Sequence, residues 1–312
     1  MDWLLLVIGL SLVTFGATWL TNGSVAIAKR LNIAEYVIGM TIVAIGTSLP
    51  ELTVSSASTF AGKADVAIGN VVGSNILNVF LILGVCALVA PISFSRSNVR
   101  RDIPICILVS LLLAFMLHNG SLSRIEGIVL LVLFIANTLY AFVAGKNKLG
   151  TSDEEETTPL QTPWWRDTLL IILGLVMLIY GARLTLDSAT NIARALGISE
   201  SVIAISVLAL GTSIPELAAG IAAMFKGHAA LALGNVLGSN VANILLILGF
   251  CGTISPLTMS DITYIDLATM VLVAVVVLVS AFAIGHRKIT RSEGVIYLLA
   301  YAIYIWYLIS QH

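Results

Sequence analysis

The sequence predicts an all-α polytopic membrane protein, with ten transmembrane helices in two inverted five-helix repeats and both termini outside. Three observations predict it. The composition is 58% hydrophobic and only 11% charged, with a mean hydropathy of +1.02, whereas soluble domains carry about one-quarter charged residues. Apolar runs near the ~20 residues that span a bilayer's hydrocarbon recur along all 312 positions. The stretch Gly46-Thr47-Ser48-Leu49-Pro50-Glu51 also returns as Gly211-Thr212-Ser213-Ile214-Pro215-Glu216.

Setting apolar runs against charged or turn-rich breaks gives helices at about 3–28, 36–60, 66–90, 103–118, 125–145, 168–192, 201–225, 229–253, 264–285 and 294–310. The first run lacks the basic flank and small-residue cleavage site of a signal peptide and reads as a retained span. The one long polar connection, Lys146 to Asp167, contains Asp153-Glu154-Glu155-Glu156, Pro159 and Pro163. It reads as a solvated acidic linker that divides the chain into 1–145, 146–167 and 168–312. Cys86, Cys106 and Cys251 lie inside apolar runs without metal-ligand spacing and read as packing residues. A net charge of −1 gives no sign of a nucleic-acid partner.

The halves match beyond one motif. Gly69-Asn70-Val71-Val72-Gly73-Ser74-Asn75 answers Gly234-Asn235-Val236-Leu237-Gly238-Ser239-Asn240, and Asn78 answers Asn243, at the same spacing. Gly9 and Gly16 likewise pair with Gly174 and Gly181, and Arg124-Ile125-Glu126-Gly127 with Arg291-Ser292-Glu293-Gly294. Because each half holds an odd number of spans, the second enters the membrane from the opposite side, which makes the repeats inverted. With the N-terminus outside, the inner connections hold Lys29, Arg30, Arg96, Arg100, Arg101, Lys146, Lys148, Arg166, Lys226, Arg287, Lys288 and Arg291; the outer ones hold Lys63, Arg124, Arg183 and Arg194. The positive-inside rule therefore predicts both termini outside and the acidic linker in the cytoplasm.

Most charged residues lie near span ends, but Glu51 and Glu216 fall mid-span, where an ionisable group marks a functional site. Arg183 and Asp187, one turn apart, are expected to form a local ion pair. Pro50 and Pro215 give up an N–H and crowd the preceding turn, so each helix is expected to break around Gly46 or Gly211 and free carbonyl oxygens. Thr47 and Glu51, Ser74 and Asn78, Thr212 and Glu216, and Ser239 and Asn243 are each four apart, so each pair shares a helix face. The four faces gather carboxylates, amides, hydroxyls and carbonyls without His or Cys, a set suited to a hard cation such as Ca²⁺ or Na⁺. Asn75 and Asn240 fall off these faces, which leaves both interhelical packing and ligation open as their role.

The two copies of GTS(L/I)PE and GNV(V/L)GSN(I/V)xN resemble the α-repeats of the Ca²⁺:cation antiporter superfamily, in its sodium/calcium exchanger branch and prokaryotic relatives. The resemblance implies an antiporter of the plasma (inner) membrane whose first and sixth helices slide across an eight-helix core. It implies cation ligands at Thr47, Ser48, Glu51, Ser74 and Asn78, and at Thr212, Ser213, Glu216, Ser239 and Asn243, with carbonyls of Ala44 and Ala209. It further implies transported Ca²⁺ and Na⁺, no cofactor and no catalytic residue. Glu51 and Glu216 limit the site to two negative charges, since positions 78 and 243 are both amides. The alternatives are H⁺/Ca²⁺ exchange by the same fold and a cation channel or receptor-like protein without coupled transport. A hydrolase is disfavoured because no His base lies near the motif serines.

Overall fold

A computed structural model describes residues 1–146, 163–196, 211–259, 262–283 and 287–310. Seven helices among them are long and apolar enough to cross a membrane: α1 (Asp2–Leu31), α4 (Ala64–Val89), α5 (Asn98–Asn119), α6 (Arg124–Lys146), α7 (Trp164–Ala195), α9 (Ala229–Ile254) and α10 (Tyr264–Ala283). An eighth span is broken into α2 (Glu35–Thr47) and α3 (Leu49–Phe60), inclined at 43° to each other. Its counterpart in the second half is described from Gly211 onward and contains α8 (Ile214–Phe225). The tenth predicted span is α11 (Arg291–Ser310), whose aliphatic run is interrupted by Tyr297, Tyr301, Tyr304, Trp306 and Tyr307. The acidic stretch 153–156, the start of the seventh predicted span and Ala209 lie outside the described residues.

The inversion of the halves is visible in the contact between α1 and α7. A Cβ on Gly16 would lie 2.8 Å from the Gly174 carbonyl, and one on Gly9 3.0 Å from the Gly181 carbonyl. Ascending numbers on α1 meet descending numbers on α7, so helices at equivalent positions of the two halves run antiparallel. Glycine every seventh residue lets the backbones touch, which is how helices associate where lipid offers no hydrophobic drive. Glycines serve the core in the same way: Gly127 abuts Gly249 and Gly252, and Gly294 abuts Gly84. Two short antiparallel ladders also join the halves, β1 (Ile92–Ser93) to β4 (Lys288–Ile289) and β2 (Ser121–Leu122) to β3 (Leu257–Thr258).

The matched Arg-x-Glu-Gly segments start α6 and α11. Glu126 accepts from the Ser123 N–H and hydroxyl at 2.7 Å, and Glu293 from those of Thr290 at 2.7 and 2.8 Å. Each is a reciprocal capping box that satisfies N–H groups at a helix start. At one end of the bundle Arg30 on α1 pairs with Asp167 on α7 at 2.5 Å. Lys226, just past α8, donates to the Thr18 carbonyl at 3.1 Å and to Asn22 Oδ1 at 2.6 Å, in the C-terminal half of α1. Arg183 and Asp187 do not form the expected pair; both side chains are exposed on α7, where an ion pair contributes little. The three cysteines are free and buried, as packing residues should be.

Candidate cation site

Each repeated motif breaks its helix, but not at the glycine. The non-helical residue is Ser48 (φ −82°, ψ 8°) in the first copy; in the second the break takes Thr212 and Ser213 (φ −93°, ψ 6°), and in both the proline is in the first turn of the following helix. Proline is accommodated there because its missing N–H would have no partner at a helix start. Gly46 and Gly211 serve packing instead: a Cβ at either would lie 2.6 Å from a methyl of Leu175 or Leu186 on α7. The Ala44 carbonyl is not released by the break, since it accepts from the Ser48 N–H at 3.0 Å and the Thr47 hydroxyl at 3.3 Å.

The break turns the motifs toward each other across the pseudo-two-fold axis. Ser48 donates to Glu216 Oε1 at 3.1 Å, and Ser213 donates to Glu51 Oε1 at 3.3 Å. Each serine thus holds the carboxylate of the opposite repeat. Thr47 and Thr212 border those same carboxylates. Both glutamates are 1% exposed, and no Lys, Arg or His among the described residues pairs with either. Their second oxygens, Glu51 Oε2 and Glu216 Oε2, are buried without a hydrogen-bond partner. Two buried carboxylates without a cation are costly, because burial removes their hydration and the hydroxyl donors at Oε1 replace only part of it.

A second pair of oxygens repeats the pattern. Asn78 and Asn243 each open a wide, π-type turn, Asn78–Leu83 in α4 and Asn243–Leu248 in α9. Such turns are uncommon inside α-helices and collect at functional sites. The turn at Asn78 packs against α8, which carries Glu216, and the turn at Asn243 packs against α3, which carries Glu51. Asn78 Oδ1 and Asn243 Oδ1 are likewise buried and unpartnered, as is Ser239 Oγ. Ser74 is buried on the same stretch of α4. Sequence-predicted side chains from both repeats are therefore brought together, with oxygens and no nitrogen or sulfur left unsatisfied among them.

Two residues of the repeated motif have a role that the four-residue spacing does not reveal. Asn70 donates to the Glu51 carbonyl at 3.4 Å and to Ser55 Oγ at 3.0 Å, and Asn235 donates to the Glu216 carbonyl at 3.5 Å and accepts from Thr47 at 3.2 Å. They fasten the broken helices to α4 and α9. Their occurrence at matched positions in both copies was the available signal.

Comparison with known proteins agrees with this architecture. The family model described as sodium/calcium exchanger protein matches the chain twice, over residues 1–143 and 167–310. The sodium/calcium exchanger MaX1 of Methanosarcina acetivorans is 31% identical, covering 97% of both chains. The inner membrane protein YrbG of Escherichia coli is 35% identical over 97% of this chain and 94% of its own. Among solved structures, the sodium-calcium exchanger NCX_Mj superposes with a TM-score of 0.86 at 33% identity, covering 98% of each chain.

Proposed function

Because the chain belongs to the sodium/calcium exchanger protein family, we propose that it exchanges Na⁺ for Ca²⁺ across the plasma (inner) membrane by alternating access and, under an inward Na⁺ gradient, extrudes Ca²⁺. One observation carries this reading: four buried, unpartnered oxygens, Glu51 Oε2, Glu216 Oε2, Asn78 Oδ1 and Asn243 Oδ1, in two symmetry-related pairs. Two carboxylates and two neutral carbonyls suit a hard divalent cation, whose charge the glutamates balance. The same oxygens suit Na⁺, so the two ions compete for one set of ligands. Thr47, Ser48, Ser74, Thr212, Ser213 and Ser239 complete the proposed shell, with the carbonyl of Ala209; the Ala44 carbonyl, already bonded to Ser48 and Thr47, is not part of it.

Exchange rather than leak follows from the charge. An empty carrier would move two bare carboxylates through a low-dielectric barrier, whereas an ion-loaded one moves a neutral or nearly neutral site. The cation is the cargo, so no covalent chemistry and no cofactor is involved. Both termini lie outside in this reading. The Lys226 contact with Thr18 and Asn22 then ties the cytoplasmic end of α8 to α1.

The test is ⁴⁵Ca²⁺ uptake into proteoliposomes that contain the purified protein, at equal pH inside and out. Uptake is expected to rise with internal Na⁺ and to vanish when Na⁺ is replaced by choline. Uptake that ignores internal Na⁺ but follows an imposed pH gradient would overturn sodium coupling and establish proton coupling through the same glutamates.

A further inference from the structure

Asn75 and Asn240 do not face the ion oxygens, yet they make a closed set of bonds where α4 crosses α9. Asn75 Nδ2 donates to the Asn240 backbone carbonyl at 3.2 Å, and Asn240 Nδ2 donates to the Asn75 backbone carbonyl at 3.3 Å. Asn243 Nδ2 donates to Asn75 Oδ1 at 3.0 Å, and Asn78 Nδ2 donates to Asn240 Oδ1 at 3.0 Å. Asn75 Nδ2 also touches Met270 Sδ at 3.9 Å. All four asparagines are at least 97% buried, so these bonds are shielded from bulk solvent.

The polarity of this set is fixed by the backbone. A carbonyl oxygen only accepts, so the end of Asn75 that meets the Asn240 carbonyl must be its nitrogen. The other end is then Oδ1, also an acceptor, and the atom of Asn243 that meets it must be a nitrogen. By elimination Asn243 turns its carbonyl oxygen to the remaining side, where it is one of the unpartnered oxygens. The same chain runs from the Asn75 carbonyl through Asn240 to Asn78. An amide otherwise looks nearly the same either way round, and a flipped Asn78 or Asn243 would point N–H groups at a cation.

We propose that Asn75 and Asn240 are positioning residues for the transported cation, each orienting the ligand amide of the opposite repeat so that Asn78 and Asn243 offer oxygen and never nitrogen to the ion. The proposal rests on the cation-site reading above. The bonds cross between repeats, so each half of the site is oriented by the other half. A change on α4 is therefore felt at the ligand on α9, although Asn78 lies closer in sequence.

The crossed pattern gives a test that a general packing role would not pass. Ca²⁺ binding to the full-length purified protein is measured by titration calorimetry for Asn75→Ala, Asn78→Ala, Asn243→Ala and the doubles, with thermal unfolding as the check on folding. Asn75→Ala is expected to weaken Ca²⁺ binding about tenfold, the loss of one oriented hydrogen bond near a charge. Asn75→Ala combined with Asn243→Ala should bind no more weakly than Asn243→Ala alone, while its effect should multiply with that of Asn78→Ala. Wild-type affinity in Asn75→Ala, or equal coupling to both ligands, would overturn the proposal. If Asn75→Ala does not fold, Asn240→Ala carries the same test with the pattern reversed. Absence of Ca²⁺ binding by the wild type would instead overturn the cation-site reading itself.

Discussion

Replacing Glu51 or Glu216 by glutamine is expected to lower Ca²⁺ exchange by about 100-fold or more while leaving the protein folded. Glutamine has the volume of glutamate and keeps an oxygen for the serine of the opposite repeat, so the contacts of Ser213 with Glu51 and of Ser48 with Glu216 survive. What changes is charge. With one carboxylate left, a bound Ca²⁺ would bury a net positive charge in a site where no anion among the described residues remains to balance it. Unit charges about 4 Å apart interact by about 4 kcal/mol at an effective dielectric of ~20, and a 100-fold loss corresponds to about 2.7 kcal/mol. The expected loss is therefore a lower bound. Exchange in proteoliposomes, with size-exclusion profile and melting temperature as controls, measures it. Near wild-type rates in either folded variant would remove the glutamates from the site.

Replacing Gly238 by leucine is expected to abolish folding rather than transport alone. A Cβ at Gly238 would lie 2.6 Å from Met40 Cα and 2.7 Å from its carbonyl carbon, and closer still to its carbonyl oxygen. These are backbone atoms of α2, so no rotamer change relieves the clash and the two helices must separate. Gly39 and Gly234 line the same contact, against the carbonyls of Leu231 and Tyr36. Separation would carry α2, with Thr47 and Ser48 at its end, away from α9. A penalty of about 3 kcal/mol or more is expected, at or beyond the upper end of the usual range for overpacking because backbone does not yield. By contrast, a Cβ at Gly220 meets only side chains, Cys86 Sγ at 3.1 Å and Ile82 Cγ2 at 3.4 Å, and Gly220→Ala is expected to remain monodisperse. Fluorescence size-exclusion of detergent extracts distinguishes them: aggregation for Gly238→Leu and a wild-type peak for Gly220→Ala. Equal profiles would show that the α2–α9 contact is looser than the backbone approach implies.

Much of this was readable in the chain because the signal occurs twice. The repeated Pro-Glu pair marks a helix break beside a charge, and residues spaced by four share a face whatever the tertiary fold. The odd number of spans per half forces the inversion, which the antiparallel glycines of α1 and α7 display. What was not readable depends on contacts between distant segments. The break falls at Ser48 and Ser213 because proline settles into the first turn of the next helix, and the glycine before it is kept for Leu175 or Leu186 of α7, which no local pattern announces. The wide turns at Asn78 and Asn243 add a residue to a turn without any distinctive composition. The roles of Asn75 and Asn240 arise only where α4 crosses α9.

The central claim is that one cation lies between the carboxylates of the two repeats. Anomalous diffraction from crystals equilibrated with Ca²⁺ tests it most directly. The expected result is a single strong peak at about 2.3–2.6 Å from Glu51 Oε2 and Glu216 Oε2, the usual Ca²⁺–oxygen distance, with Asn78 Oδ1 and Asn243 Oδ1 facing it. A peak elsewhere, or none between the two glutamates in protein that binds Ca²⁺ in solution, would contradict it.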